Sequence, residues 1–217
     1  QGNYHSLIEV NVSLPKYASG IASTMCHEGY PGHHVLNTLL EARLVKERGW
    51  IEYTVYPLFS SMSLLAEGTA DYGVTLVFPN DTEWQWARDT IYPIAGIDPA
   101  LAEQSHRVME LSEQLGYASI DAARAYLDGT RSAEETVAWL QKFTFMTPDE
   151  AKQSLSFYET YRSYVVNYQL GEDLIEQYVD RVAGKELDAR WKAFVELLST
   201  PPLVSELAKG TTLDPSR

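Results

Sequence analysis

Met25-Cys26-His27-Glu28-Gly29-Tyr30-Pro31-Gly32-His33-His34 sets three of the chain's five histidines beside a glutamate, inside a long stretch of otherwise helical pattern. A His-Glu pair followed by further histidines is metallohydrolase chemistry: imidazoles hold a zinc ion, and the glutamate handles the proton of the attacking water. In the common H-E-x-x-H helix the two histidines are four residues apart, about 40° around the axis, and share a face. Here His33 and His34 lie six and seven residues after His27. An unbroken helix would turn His33 about 240° away and carry His34 roughly 10.5 Å along the axis.

Pro31 changes that geometry. It has no N–H to give the carbonyl of His27, and its ring crowds the same carbonyl, while Gly32 tolerates the backbone angles that follow. The motif therefore reads as H-E-x-x-H with two inserted residues, kinked or bulged inside one helix from about Lys16 to Arg48. On this reading His33 is the second ligand and His34 the reserve. Leu36, Leu39, Leu40 and Leu44 continue the apolar face beyond the kink, and Gly49 closes the helix.

Downstream, Pro57 suits the first position of a second helix that runs through Leu64, Leu65, Glu67, Asp71 and Tyr72 to Val77, before Pro79. Glu67 and Asp71 are four apart on one face. Their neighbours Leu64, Leu65, Ala66, Gly68 and Ala70 are apolar or small, and acids in such company need partners. Glu67 is expected as the third metal ligand. Asp71, with Tyr72 beside it, is expected to take the free ring N–H of a ligating histidine.

Upstream, Ile8, Val10 and Val12 alternate with Leu7, Glu9, Asn11 and Ser13, so Tyr4 to Ser13 reads as a half-buried strand entering the helix through a turn at Pro15. It is the only strand candidate, and it is expected to form the edge of the substrate cleft, with Val10 and Asn11 offering main-chain hydrogen bonds to an extended peptide. The rest is helix after helix, with start signals at Asp98-Pro99, Ser132 with Glu135, and Thr147-Pro148 with Glu150. Breaks are expected at Pro93 to Gly96, Gly116, Gly129 and Gly184. The last strong helix carries Leu187, Trp191, Phe194, Val195 and Leu198. Tyr158, Tyr161, Tyr164 and Tyr168 recur at three- and four-residue steps around Arg162. They form either an aromatic core stripe or a wall from which one hydroxyl reaches an oxyanion.

The chain has 217 residues, and 17 Lys and Arg against 30 Asp and Glu give a net charge of −13. That length suits one catalytic domain, residues 1–217. The charge argues against nucleic acid and anionic membrane surfaces as partners, and no apolar run suggests membrane insertion. The single cysteine, Cys26, excludes an internal disulfide, leaves the compartment open and reads as a packed thiol. His5 and His106 read as surface or packing residues.

His27, Glu28, Pro31, Gly32 and His33 answer the pattern H-E-x-x-P-G-H, and Glu67, Gly68, Ala70 and Tyr72 answer E-G-x-A-x-Y. The chain in this respect resembles the bacterial domain-of-unknown-function family 885, grouped with zincin-like metallopeptidases. A late Tyr-x-x-Gly element of that family is similar to Tyr168 to Gly171. The chain departs from the pattern at Thr69, where the family usually has tryptophan, and at Asp71, where it has an apolar residue; the latter makes the segment resemble the E-x-x-x-D of gluzincins. Family members are generally longer, so this chain, which begins at Gln1, is expected to match their C-terminal catalytic part. The resemblance implies a mainly α, zincin-like metallohydrolase with a small β element, zinc as cofactor, a peptide or small amide as substrate, and Tyr168 as the oxyanion-stabilising tyrosine. Zinc on His27, His33 and Glu67 would leave a position for water, with Glu28 as general base. Alternatives are a helical scaffold with a vestigial metal site, or a hydrolase of another amide or ester.

Overall fold

Pro31 and Gly32 do not kink a continuous helix; they separate two. In the computed structural model, which describes residues 3–13 and 16–211, α1 (Ile21–Glu28) stops at Gly29 and α2 (His33–Leu40) starts afresh, running on into a π-helical turn at Glu41–Glu47. The expected single helix from Lys16 to Arg48 is therefore corrected to two, because the chain cannot keep its hydrogen-bond ladder through a proline and then pass glycine against the end of the first helix. The remaining longer helices are α3 (Ser61–Val77), α4 (Ala102–Glu113), α5 (Ala118–Leu127), α6 (Ala133–Phe143), α7 (Pro148–Tyr161), α8 (Gln169–Ala183) and α9 (Leu187–Ser199). α3 starts at Ser61 and not at Pro57; Ser60 caps it, accepting from the backbone N–H of Met62 at 3.3 Å. The boxes at Ser132 with Glu135 and Thr147 with Glu150 are both closed reciprocally, each satisfying backbone donors that a helix start leaves free.

The molecule is arranged around α3. Its buried residues include Leu65, Ala66, Glu67, Gly68, Thr69, Ala70, Tyr72, Gly73 and Leu76, so they fall on all sides of the helix, the pattern of a helix enclosed by others. α1, α2, α8, α9 and a 3-10 turn at Arg162–Asn167 pack around it. The main core joins Leu36, Leu40 and Leu44 to Leu65, Tyr72 and Leu76 of α3, Ile175 and Val179 of α8, and Phe194 and Leu198 of α9. A second core, with Ala122, Leu140, Ala151 and Tyr158, holds α5, α6 and α7 together. On α9, Val195 and Leu187 face outward, while Leu197 is buried.

Glycine sets how close α8 comes to α3. A Cβ at Gly68 would lie 2.3 Å from the carbonyl carbon of Gly171, and one at Gly171 would lie 2.7 Å from the carbonyl oxygen of Leu64. Only the absence of both side chains allows this backbone contact. It draws the turn before α8 down beside residue 67.

No strand forms among the described residues. Tyr4 to Ser13 is extended and exposed, with Leu7, Val10 and Val12 at 65, 58 and 83 % exposure; alternation alone does not make a strand where no neighbour supplies a ladder. At Asn11 the segment closes a local turn, its side-chain oxygen accepting from the backbone N–H of Ser13 at 2.9 Å. The expected turn at Pro15 lies outside the described residues. The segment is held at its start, where the Asn3 and Tyr4 N–H groups donate to the Glu41 carboxylate at 3.1 and 3.3 Å. Lys46 lies 3.8 Å above the Tyr4 ring. Nor do the four tyrosines share one helix, since α7 ends at Tyr161 and Arg162, at φ 55°, turns the chain.

Gly68→Ala should therefore destabilise the protein. The added methyl gains about 0.5–1 kcal/mol of helix preference but is forced onto backbone, an overpacking cost of about 1–3 kcal/mol. Urea unfolding should give a clear net loss, while Gly20→Ala, which meets nothing within 4 Å, should give none.

Candidate metal centre

The two inserted residues fold back on the end of α1. The N–H of Gly32 donates to the carbonyl of Cys26 at 3.0 Å, and a Cβ on Gly32 would lie only 1.8 Å from the carbonyl oxygen of His27. Pro31 is buried, its Cγ 2.8 Å from where Gly73 of α3 would carry a Cβ. The insert is thus pinned between α1 and the helix that carries Glu67. His33, the first residue of α2, is returned to His27, their rings meeting edge to face with centroids 4.6 Å apart.

Both imidazoles address one carboxylate. His27 Nε2 lies 3.3 Å and His33 Nε2 3.6 Å from Glu67 Oε2. With metal–ligand bonds of about 2.0–2.1 Å, neighbouring donors of a tetrahedral zinc site are about 3.3–3.4 Å apart, so each histidine already stands near that spacing from Glu67. On its other side, His27 Nδ1 is 2.7 Å from Asp71 Oδ1. With Asp71 accepting the Nδ1 proton, loss of the Nε2 proton that faces Glu67 would free a lone pair for a metal. A Glu28 oxygen also lies within 4.8 Å of donor atoms of His27 and His33. Glu28 lines a cleft of about 610 Å³ together with His33 and residues 3 to 8, whereas Glu67 is only 6 % exposed. The donor set fits zinc, with two imidazole nitrogens and one buried carboxylate oxygen, and a second carboxylate toward the cleft.

His34 is turned away: its Nδ1 is 2.8 Å from Ser6 Oγ and its Nε2 3.1 Å from the Tyr30 hydroxyl. Tyr72 does not reach the centre; it is buried against Phe194 and accepts a hydrogen bond from Arg190 at 3.1 Å, so no role beside the metal is carried forward for it. Val10 and Asn11 lie beyond the part of the N-terminal segment that lines the cleft, which is residues 3 to 8. Cys26 is buried, and burial, followed by Glu83, raises its thiol. His106 stacks on Trp84, with its Nε2 3.2 Å from Asp81.

No protein-family model, curated protein or solved structure matches the chain. The centre therefore stands on its geometry and its charges. Burial would lower the His27 pKa, but its hydrogen bonds to Asp71 and Glu67 outweigh this and push it up to about 10. Burial would likewise raise Glu67, yet hydrogen bonds from His27, His33 and Tyr164 hold it down at about 2. Tyr168 is raised well above the ordinary phenol range, first by burial and then by the charges of Glu67, Asp71 and Glu28, and so stays a hydrogen-bond donor. Glu172, where burial and then Asp71 push the carboxyl up to about 8, was not among the expected residues. Nor was the Tyr164 hydroxyl, which donates to Glu67 Oε1 at 2.6 Å. The tyrosine spacing pointed to a group of rings, and only the turn at Arg162 decides which one descends on Glu67.

These shifts set the pH dependence of the metal-free protein. His27, raised from 6.5 to about 10, stabilises fully below pH 6.5 and loses that contribution as pH rises through 10. Glu67, lowered from 4.5 to about 2, stabilises fully above pH 4.5 and loses its contribution as pH falls through 2. Both act together between pH 4.5 and 6.5. With a chelator present, thermal unfolding should give the highest Tm in that window and a decline toward pH 10, and His27→Asn should flatten the alkaline decline. A Tm that climbs from pH 6.5 to 9 would contradict the His27–carboxylate contacts.

Proposed function

We propose that this chain is the catalytic part of a zinc-dependent peptidase, with His27, His33 and Glu67 as ligands and Glu28 as the proton carrier. The observation that carries the reading is the meeting of two imidazole nitrogens on one buried carboxylate oxygen, with Asp71 behind His27. The H-E-x-x-P-G-H and E-G-x-A-x-Y elements support it through their resemblance to the zincin-like family 885 of domains of unknown function. A bound zinc would supply Lewis acidity, making water a nucleophile at neutral pH and polarising the scissile carbonyl. Glu28, on the cleft side, takes the proton from the attacking water and gives it to the leaving amine. Tyr168 keeps its proton and donates to the oxyanion. Asp71 fixes the His27 ring and its tautomer.

The cleft supports an extended peptide as substrate. Residues 3 to 8 border it beside Glu28 and His33, and the extended backbone beyond the Glu41 anchor has no ladder partner among the described residues, so a peptide laid alongside would complete a small β element with main-chain hydrogen bonds. Side-chain selectivity is left to the cleft walls, and the free ends of the peptide set whether cleavage is internal or terminal.

Zinc analysis of the purified protein should find about one ion per chain, lost in His27→Ala and Glu67→Ala. Glu28→Gln should keep the metal while hydrolysis of a peptide library with free and blocked termini falls by about 10²–10⁴-fold. Absence of bound metal in zinc-supplemented buffer would refute the reading. For the substrate edge, Leu7→Pro or Ile8→Pro removes a backbone donor and should impair peptide cleavage with zinc content unchanged. Undiminished cleavage in both variants would remove that edge from the mechanism.

A further inference from the structure

Glu67 can offer a metal either one oxygen or two, and the structure decides between them at a residue far away in sequence. Oε2 faces the two imidazoles, while Oε1 accepts the hydroxyl of Tyr164 at 2.6 Å. Tyr164 is 8 % exposed. It stands on the 3-10 turn Arg162–Asn167, between α7 and α8, and that turn packs on α3 just before α8 meets α3 through the contact of Gly171 with Gly68, the residue after Glu67. Its ring is fenced by Phe59, Phe157, Tyr161 and Tyr168, with centroids 6.0 to 6.4 Å away. A ring so enclosed has little freedom to withdraw its hydroxyl, and a hydrogen bond to a carboxylate is among the stronger ones a neutral donor makes.

We infer that Tyr164 is a positioning residue that occupies Glu67 Oε1 and holds the carboxylate as a one-oxygen ligand, keeping a coordination position open for water and substrate. The inference rests on the metal-centre reading above. A carboxylate free at both oxygens would rotate to bind with both, and a catalytic site needs a position left open. Partners that orient ligands in this way typically govern metal affinity by about 10–100-fold.

Tyr164→Phe removes the hydroxyl and keeps the ring. Zinc affinity, measured by competition with a chelator, should fall by about 10–100-fold, and the cobalt-substituted protein should absorb more weakly in the visible as a fourfold site becomes fivefold. Tyr158→Phe, which removes a hydroxyl in the second core, should leave both readings at the wild-type level and serves as the control for general loosening. A Tyr164→Phe protein with wild-type zinc affinity and an unchanged cobalt spectrum would overturn the inference while leaving the metal centre standing. A wild-type protein that binds neither ion would overturn both.

Discussion

A carboxylate in the middle of an enclosed helix is the constraint on which this structure depends. Removing an ionised group from water costs several kcal/mol unless donors replace the lost hydration, and Glu67 sits on the most deeply buried stretch of α3. Its donors come from three places in the chain: His27 at the end of α1, His33 at the start of α2, and Tyr164 on the turn before α8. Each of these elements must therefore reach the same few ångströms of α3. Small residues make that possible, since Gly73 receives Pro31 and Gly68 receives Gly171.

The inserted pair of residues follows from the same demand. In an H-E-x-x-H helix both histidines approach their partner from one continuous cylinder. Here α1 ends after Glu28, and His33 comes back from the start of another helix, so the two rings meet nearly perpendicular, at 84°. Gly32 lies directly on the His27 carbonyl, which ties the placement of His33 to the backbone of His27. The two histidines thus meet from two separate helices and not from one.

Much of this was legible in the sequence, for identifiable reasons. Four-residue spacing puts Asp71 one turn beyond Glu67, and the small and apolar residues around them mark a buried pair that needs partners. Reciprocal Ser-Glu and Thr-Glu signals locate the starts of α6 and α7, because a capping box is a local interaction. What failed was what depends on distant contacts. The alternation in Tyr4 to Ser13 describes an extended chain equally well with or without neighbours, and nothing local supplies the ladder. Proline at 31 announces a disturbance but not whether the helix bends or stops; burial against Gly73 decides that. Tyrosine spacing could not single out Tyr164, because the positive φ at Arg162 ends the helical register on which the spacing argument relies.

On this reading Glu67, the buried carboxylate, binds the metal, and Glu28, the half-buried one beside the cleft, does not. Diffraction from zinc-loaded crystals, recorded at the zinc absorption edge, tests it directly. One anomalous peak is expected about 2.0–2.2 Å from His27 Nε2, His33 Nε2 and a single Glu67 oxygen, with Glu28 outside bonding distance. A peak ligated by Glu28 in place of Glu67, or one seated on His34, would contradict it.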